Sequence, residues 1–224
     1  MGIFDIGKNF VEDLINVNPK DIAKTVAKAG AAVTAAITPI VGIPALIAIN
    51  NLSDYSICVL GPLKAGKTTF LNWLRKGCFF SPYCPTNREP YETFSYKKKK
   101  IHSGEDIGGG NEFKFEYIDM IAKCNVCIFV FDTNQFINDN SYRQEIWDTA
   151  DLIYRNAQVL GKTVCTIGTH LDLTDYPNGD RLREKIYQLS ERKPFKDIFH
   201  TNCMVVDLTN QQYFAACAKL IFGV

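Results

Sequence analysis

At 224 residues, with 46% hydrophobic and 22% charged side chains, the chain has a globular make-up and room for one large domain or a domain with an appendage. Twenty-five Lys and Arg against 24 Asp and Glu leave a formal charge of +1, which excludes a global pull toward nucleic acid and makes any basic surface local. Eight cysteines, several inside apolar strand-like runs and with no secretory signal ahead of them, argue against a disulfide framework and for reduced thiols in the cytoplasm.

Residues 1–28 space Ile3, Phe4, Ile6, Phe10, Leu14 and Ile15 as an apolar helical stripe, broken near Asn18 and Pro19. Gly2 invites N-myristoylation, but Ile6 stands where that signal needs Ser or Thr. Residues 30–49, GAAVTAAITPIVGIPALIAI, carry no charge and match a bilayer span in length, although Pro39, Gly42 and Pro44 would kink a continuous helix. Three readings stay open: a helical pair packed on the folded domain, an interfacial anchor, or a membrane-inserted hairpin. Residues 1–53 are therefore expected to form a helical extension, and 54–224 the main domain.

After Asp54, short apolar runs alternate with amphipathic segments, the pattern of βα units around a mostly parallel sheet. Strands are predicted at 55–60, 93–101, 126–132, 163–168 and 202–206, and helices at 68–76, 111–123, 141–160, 180–189 and 211–221. Cys124 and Cys127 form a CxxC; in a strand their odd offset sends the thiols to opposite faces, and no second pair stands at zinc-finger spacing.

Between the first predicted strand and helix lies Gly61-Pro62-Leu63-Lys64-Ala65-Gly66-Lys67-Thr68, the G-x-x-x-x-G-K-[ST] pattern in the context it needs. Gly61 and Gly66 permit the tight turn that aims successive amides, through Lys64, Ala65 and Thr69, at phosphate oxygens at a helix N-terminus. Lys67 is placed to meet the β- and γ-phosphates, and Thr68 to offer its hydroxyl to Mg²⁺. Farther on, the strand at 163–168 runs into Thr169-His170-Leu171-Asp172. A carboxylate at Asp172 can accept both the N1–H and the exocyclic amine of guanine, whereas adenine offers the wrong edge. Thr169 would support the base, and His170 could lie on its plane.

Asp106-Ile107-Gly108-Gly109 lies between these motifs, with Asp106 a candidate for Mg²⁺ through water and the Gly109 amide for sensing the γ-phosphate. Gly110, Asn111 and Glu112 follow, so glycine occupies the place where a water-orienting glutamine is usual. Thr86, with Thr93 as the alternative, is the candidate threonine for Mg²⁺ and the γ-phosphate. Arg88 is either an arginine finger in cis or a solvated loop residue. The lysines at 97–100 read as edge-strand protection or as a surface for an acidic partner or anionic lipid. Leu208, between Asp207 and Thr209, stands where a backbone amide would meet guanine O6.

Taken together, residues 54–224 resemble the Ras-like small GTPases of the P-loop superfamily. PT, YETFSY, EDIGG and IFVFDTN look most like the Arf branch, and GTHLDL is also similar to Roc domains. The long apolar extension is similar to that of bacterial stand-alone GTPases. The resemblance implies a three-layer α/β/α sandwich with a mostly parallel six-stranded sheet, GTP/GDP with Mg²⁺, and a switch that relaxes when the γ-phosphate is lost. It assigns catalysis to Lys67, Thr86 and Gly109, and the metal to Thr68, Thr86 and Asp106. Slow GTP hydrolysis follows from Gly110; a GTP-binding interaction module with little hydrolysis is the alternative. Protein effectors and regulators, and a membrane surface reached through residues 1–49, are the implied partners. A dynamin-type remodelling enzyme is disfavoured, because no long helical stalk follows the domain.

Overall fold

The hydrophobic alternation of two central strands sets the layers. The computed structural model describes residues 52–78, 87–176, 179–191, 195, 198–199 and 203–224. Strand β1 is Asp54–Tyr55, β2 Ile57–Leu60, β3 Arg88–Tyr91, β4 Phe94–Tyr96, β5 Lys99–Ile101, β6 Gly104–Ile107, β7 Val126–Asp132, β8 Thr163–Thr169 and β9 Cys203–Val205. Helix α1 is Lys67–Lys76, α2 Tyr117–Lys123, α3 Thr133–Asn138, α4 Asn140–Val159, α5 Gly179–Leu189 and α6 Gln211–Phe222. Ile57, Val59, Val126, Ile128 and Val130 face one core with α1 and α6. Cys58, Leu60, Cys127, Phe129 and Phe131 face another, with α2, α3, α4 and α5. Because strand side chains alternate, one sheet serves both cores, which is the expected three-layer sandwich.

The sheet departs from the six continuous strands expected. Its largest ladder is four parallel strands, β2-β7-β8-β9, beside a three-stranded β1-β5-β4 and a two-stranded β3-β6. Only Ser56 separates β1 from β2, only two residues separate β3 from β4, and only two separate β5 from β6. Nine short strands thus trace six chain lines, and breaks in hydrogen bonding divide the ladders.

The predicted strand at 93–101 is a hairpin, with β4 and β5 antiparallel and Lys97 at φ 51° in the turn. A lysine in the left-handed region carries no sequence signal of a turn. Strands β3 (REPY) and β6 (GEDI) were not predicted: their Pro, Gly and acidic residues have low strand propensity, and antiparallel pairing with each other makes them strands. The predicted helix at 111–123 divides into a 3₁₀ stretch, Asn111–Glu116, and α2. Helix α3 went unread, although Asp132 caps it by accepting from the Gln135 amide.

Cys124 sits at the C-terminus of α2 rather than in a strand, and its Sγ lies 3.0 Å from Cys58 Sγ. Both are buried free thiols, as is Cys127, in keeping with core cysteines. Among the described residues no helix is long and apolar enough to cross a membrane. The expected extension with its apolar run at 30–49, and Thr86, lie outside the described residues.

Candidate functional site

The ends of β2, β7 and β8, and the loop after β9, converge on the turn between β2 and α1. Gly61 has φ 147°, Lys64 φ 59° and Gly66 φ 93°, so the chain winds through conformations that glycine adopts freely. Gly66 stands directly ahead of α1, and helix entry without a side-chain cap leaves the first amides open toward the turn. A Cβ on Gly66 would lie 3.2 Å from Leu208 Cδ1 and 3.4 Å from Thr169 Cγ2, which locates both residues against the loop. Trp73 Nε1 donates to the Leu208 carbonyl at 2.7 Å and ties that segment to α1.

Lys67 is buried, and its ammonium donates to the Pro62 carbonyl at 2.9 Å, spanning the loop from within. Burial lowers its pKa to about 8, with the nearby Asp106 carboxylate pulling the other way. Asp106 is buried at the end of β6; desolvation raises its pKa, while a hydrogen bond from Thr68 and the charge of Lys67 oppose the rise. Its Oδ1 has no hydrogen-bond partner. Gly109 lies backbone against backbone on Pro62 and Leu63, where any Cβ would overlap the Pro62 carbonyl. Lys67, Thr68, Asp106 and Gly109 therefore meet at one side of the loop.

At the other side, Thr169 is buried, with its Oγ1 2.9 Å from the Ala65 carbonyl and 3.1 Å from the Phe131 carbonyl. Its hydroxyl is a strut that ties the 169–172 turn to the phosphate loop. Thr133 hydroxyl donates to the Thr169 carbonyl. His170, at φ 58°, turns its Nδ1 toward Thr169 Oγ1 at 2.8 Å and Asp132 Oδ2 at 3.5 Å. Asp172 follows in a 3₁₀ turn, Leu171–Leu173, and is exposed at the rim. Lys64 is exposed and Thr69 half-buried on α1.

Arg88 is not a loop residue: it lies on β3, 3.6 Å from Glu105 and paired with Glu116. Tyr117, Asp132 and Thr133 are supports the motifs did not name. Only Asp132 left a trace, an acidic residue where an apolar run ends. Tyr117 hydroxyl donates to the Gly61 carbonyl at 3.0 Å from within the core. Tyr117→Phe is expected to cost about 1 kcal/mol by leaving that carbonyl unbonded, read as a drop in thermal midpoint with faster nucleotide release.

Residues 46–219 match the ADP-ribosylation factor (Arf) family. The chain belongs to this family. It is also similar to ADP-ribosylation factor-like protein 3 of Saccharomyces cerevisiae, 24% identical over 153 residues, which are 66% of this chain and 75% of the yeast protein. As an Arf-family member it is a GTPase switch that binds GTP and GDP with Mg²⁺, in a family that works through effectors and regulators. The residues present fit the metal. Mg²⁺ needs one or two carboxylates plus substrate phosphates rather than an all-protein cage, and Asp106 offers a buried, unpartnered oxygen beside the Thr68 hydroxyl. No cluster of three or more His, Cys, Asp or Glu side chains that could hold a metal by themselves stands among the described residues.

Proposed function

We propose that the chain is a slow Mg²⁺-dependent GTP hydrolase acting as a switch, with residues 54–224 as its G domain and residues 1–53 as an extension that brings it to a membrane. The observation that carries this reading is the meeting of Lys67, Thr68, Asp106 and Gly109 on one side of the phosphate loop. Lys67 releases the Pro62 carbonyl and turns its ammonium to the β- and γ-phosphates. Thr68 and Asp106 hold Mg²⁺, which neutralises phosphate charge when bound. Gly109, resting on Pro62 and Leu63, offers its amide to the γ-phosphate and moves when that group leaves, carrying the 111–116 turn with it. Thr86 is assigned the second switch contact.

Asp172 reads guanine from the rim, with Thr169 and His170 holding its turn, and Leu208 bringing the last backbone segment to the base. Gly110 supplies no side chain to orient water; the Glu112 carboxylate fills the space where its Cβ would be. That absence is the reason for a slow rate, and it also favours the second reading, a GTP-binding module with little hydrolysis. Single-turnover assays separate the two: hydrolysis abolished in Lys67→Ala supports the enzyme, and tight binding without turnover supports the module.

The base assignment predicts at least about fiftyfold tighter binding of GTP than ATP, because a site that hydrogen-bonds a substrate N–H rejects an analogue lacking it by that factor or more. Asp172→Ala should bring the two affinities close together in a fluorescence titration. Equal affinities in the unmodified protein would remove Asp172 from the site.

A further inference from the structure

Between the two glycines of the phosphate loop stand Pro62, Leu63, Lys64 and Ala65, and of these Lys64 alone has a polar side chain. Pro62 and Ala65 are buried, whereas Leu63 and Lys64 are exposed. Gly109 covers one flank of the loop, at Pro62 and Leu63, and Thr169 holds the other, at Ala65 and Gly66. Lys64 is therefore the crest between the flanks, at the middle of the mouth. Its backbone lies at φ 59°, where a residue with a Cβ is strained and glycine is not. The other two positive-φ positions of the loop, Gly61 and Gly66, are glycines. At the third the chain takes strain to place an ammonium, and strain of this kind collects at ligand clamps.

Charge points the same way. Segments 61–69, 106–112, 130–133 and 169–172, which touch one another around the loop, hold four carboxylates, Asp106, Glu112, Asp132 and Asp172, but only two lysines, Lys64 and Lys67. With Lys67 alone, the site would meet an anionic ligand with a large excess of negative charge. Arg88 does not make up the difference, being paired with Glu105 and Glu116.

We propose that Lys64 is a second phosphate cation, its ammonium closing over the phosphate chain from the solvent side while Lys67 meets it from within. An amide set against the phosphates keeps its own side chain within one stem length of them. The proposal rests on the G-domain reading above and adds a charge at a position that the G-x-x-x-x-G-K-[ST] pattern leaves unspecified. GTP carries one more negative charge than GDP and gains more from it.

Titration of GDP and of a non-hydrolysable GTP analogue against the full chain with Mg²⁺, at low and at high salt, tests this. Lys64→Gly is expected to weaken the GTP analogue about tenfold at low salt and GDP less, with most of the loss gone at high salt, because an exposed ammonium acts through a screened field. The thermal midpoint of the nucleotide-free variant should hold or rise, since glycine relieves the left-handed backbone. Lys64→Arg should keep the affinity, and Lys64→Glu should lose more than Lys64→Gly. Unchanged affinity in Lys64→Gly while Lys67→Ala still weakens binding, or a loss that salt does not alter and that comes with a lower midpoint, overturns the second cation and leaves the G-domain reading standing. Failure of the unmodified protein to bind either nucleotide overturns both.

Discussion

Replacing Lys67 by alanine is expected to weaken GTP binding at least about thirtyfold, because truncating one partner of a buried, hydrogen-bonded charge pair costs on the order of 2–5 kcal/mol. The nucleotide-free protein should not suffer in proportion. Its Lys67 ammonium is desolvated, and the folded-state pKa of about 8 lies below the ordinary 10.5. Folding therefore releases protons between these values: the destabilisation is absent above pH 10.5, grows as pH falls toward 8, and is complete below 8. At pH 7, Lys67→Ala removes that cost together with one carbonyl contact, so the thermal midpoint of the free protein should hold or rise while affinity collapses. A midpoint that falls with the affinity would mean a scaffold residue instead.

The same shift gives binding a pH signature. Phosphate oxygens favour the charged amine, so binding takes up a proton where the free protein has lost one. Affinity for GDP should be flat below pH 8 and decline as pH rises past it. Titration calorimetry in buffers of different ionisation heat measures the uptake. Lys67→Arg stays charged and should lose this dependence, while any titration of the guanine N1–H is common to both proteins.

What could be read from the sequence was what is local. The loop motif sits within eight residues and needs only a strand before it and a helix after it, so its context was readable from hydrophobic pattern alone. The turn that carries Asp172 was readable for a similar reason, as polar residues where an apolar strand ends. The supports were not: Tyr117 reaches Gly61 across 56 positions, and Thr169 reaches Ala65 across 104. Thr169 was expected to support the base; what the sequence does not show is that its hydroxyl ties the Ala65 and Phe131 carbonyls together. Arg88 looked free because its ion-pair partners, Glu105 and Glu116, come from a strand and a turn that short-range propensity does not announce. Family resemblance implied six strands in one sheet, whereas the largest ladder has four, and the two strands made by mutual pairing were not foreseen because Pro90 and Gly104 speak against strand.

Gly61→Ala should be among the most damaging single substitutions in the described domain, and the reason is backbone rather than side chain. Gly61 leaves β2 at φ 147°, a region that L-residues avoid, and a Cβ there would fall within the Val130 carbonyl of the neighbouring strand β7. Val130 cannot yield, since β7 is held by ladders on both sides. Dihedral strain of about 1–3 kcal/mol adds to an overpacking cost of about 1–3 kcal/mol, a large share of a typical stability of about 5–15 kcal/mol. For a chain of this size that is roughly 10 °C in thermal midpoint. Gly77→Ala is the matched control: φ is 66°, but nothing lies within 4 Å of the added carbon, so only strain of about 1 kcal/mol remains. A drop at Gly61 no larger than at Gly77 would mean that the loop moves aside. That movement would break the Tyr117 bond to the Gly61 carbonyl and register as a loss of nucleotide affinity in place of a loss of stability.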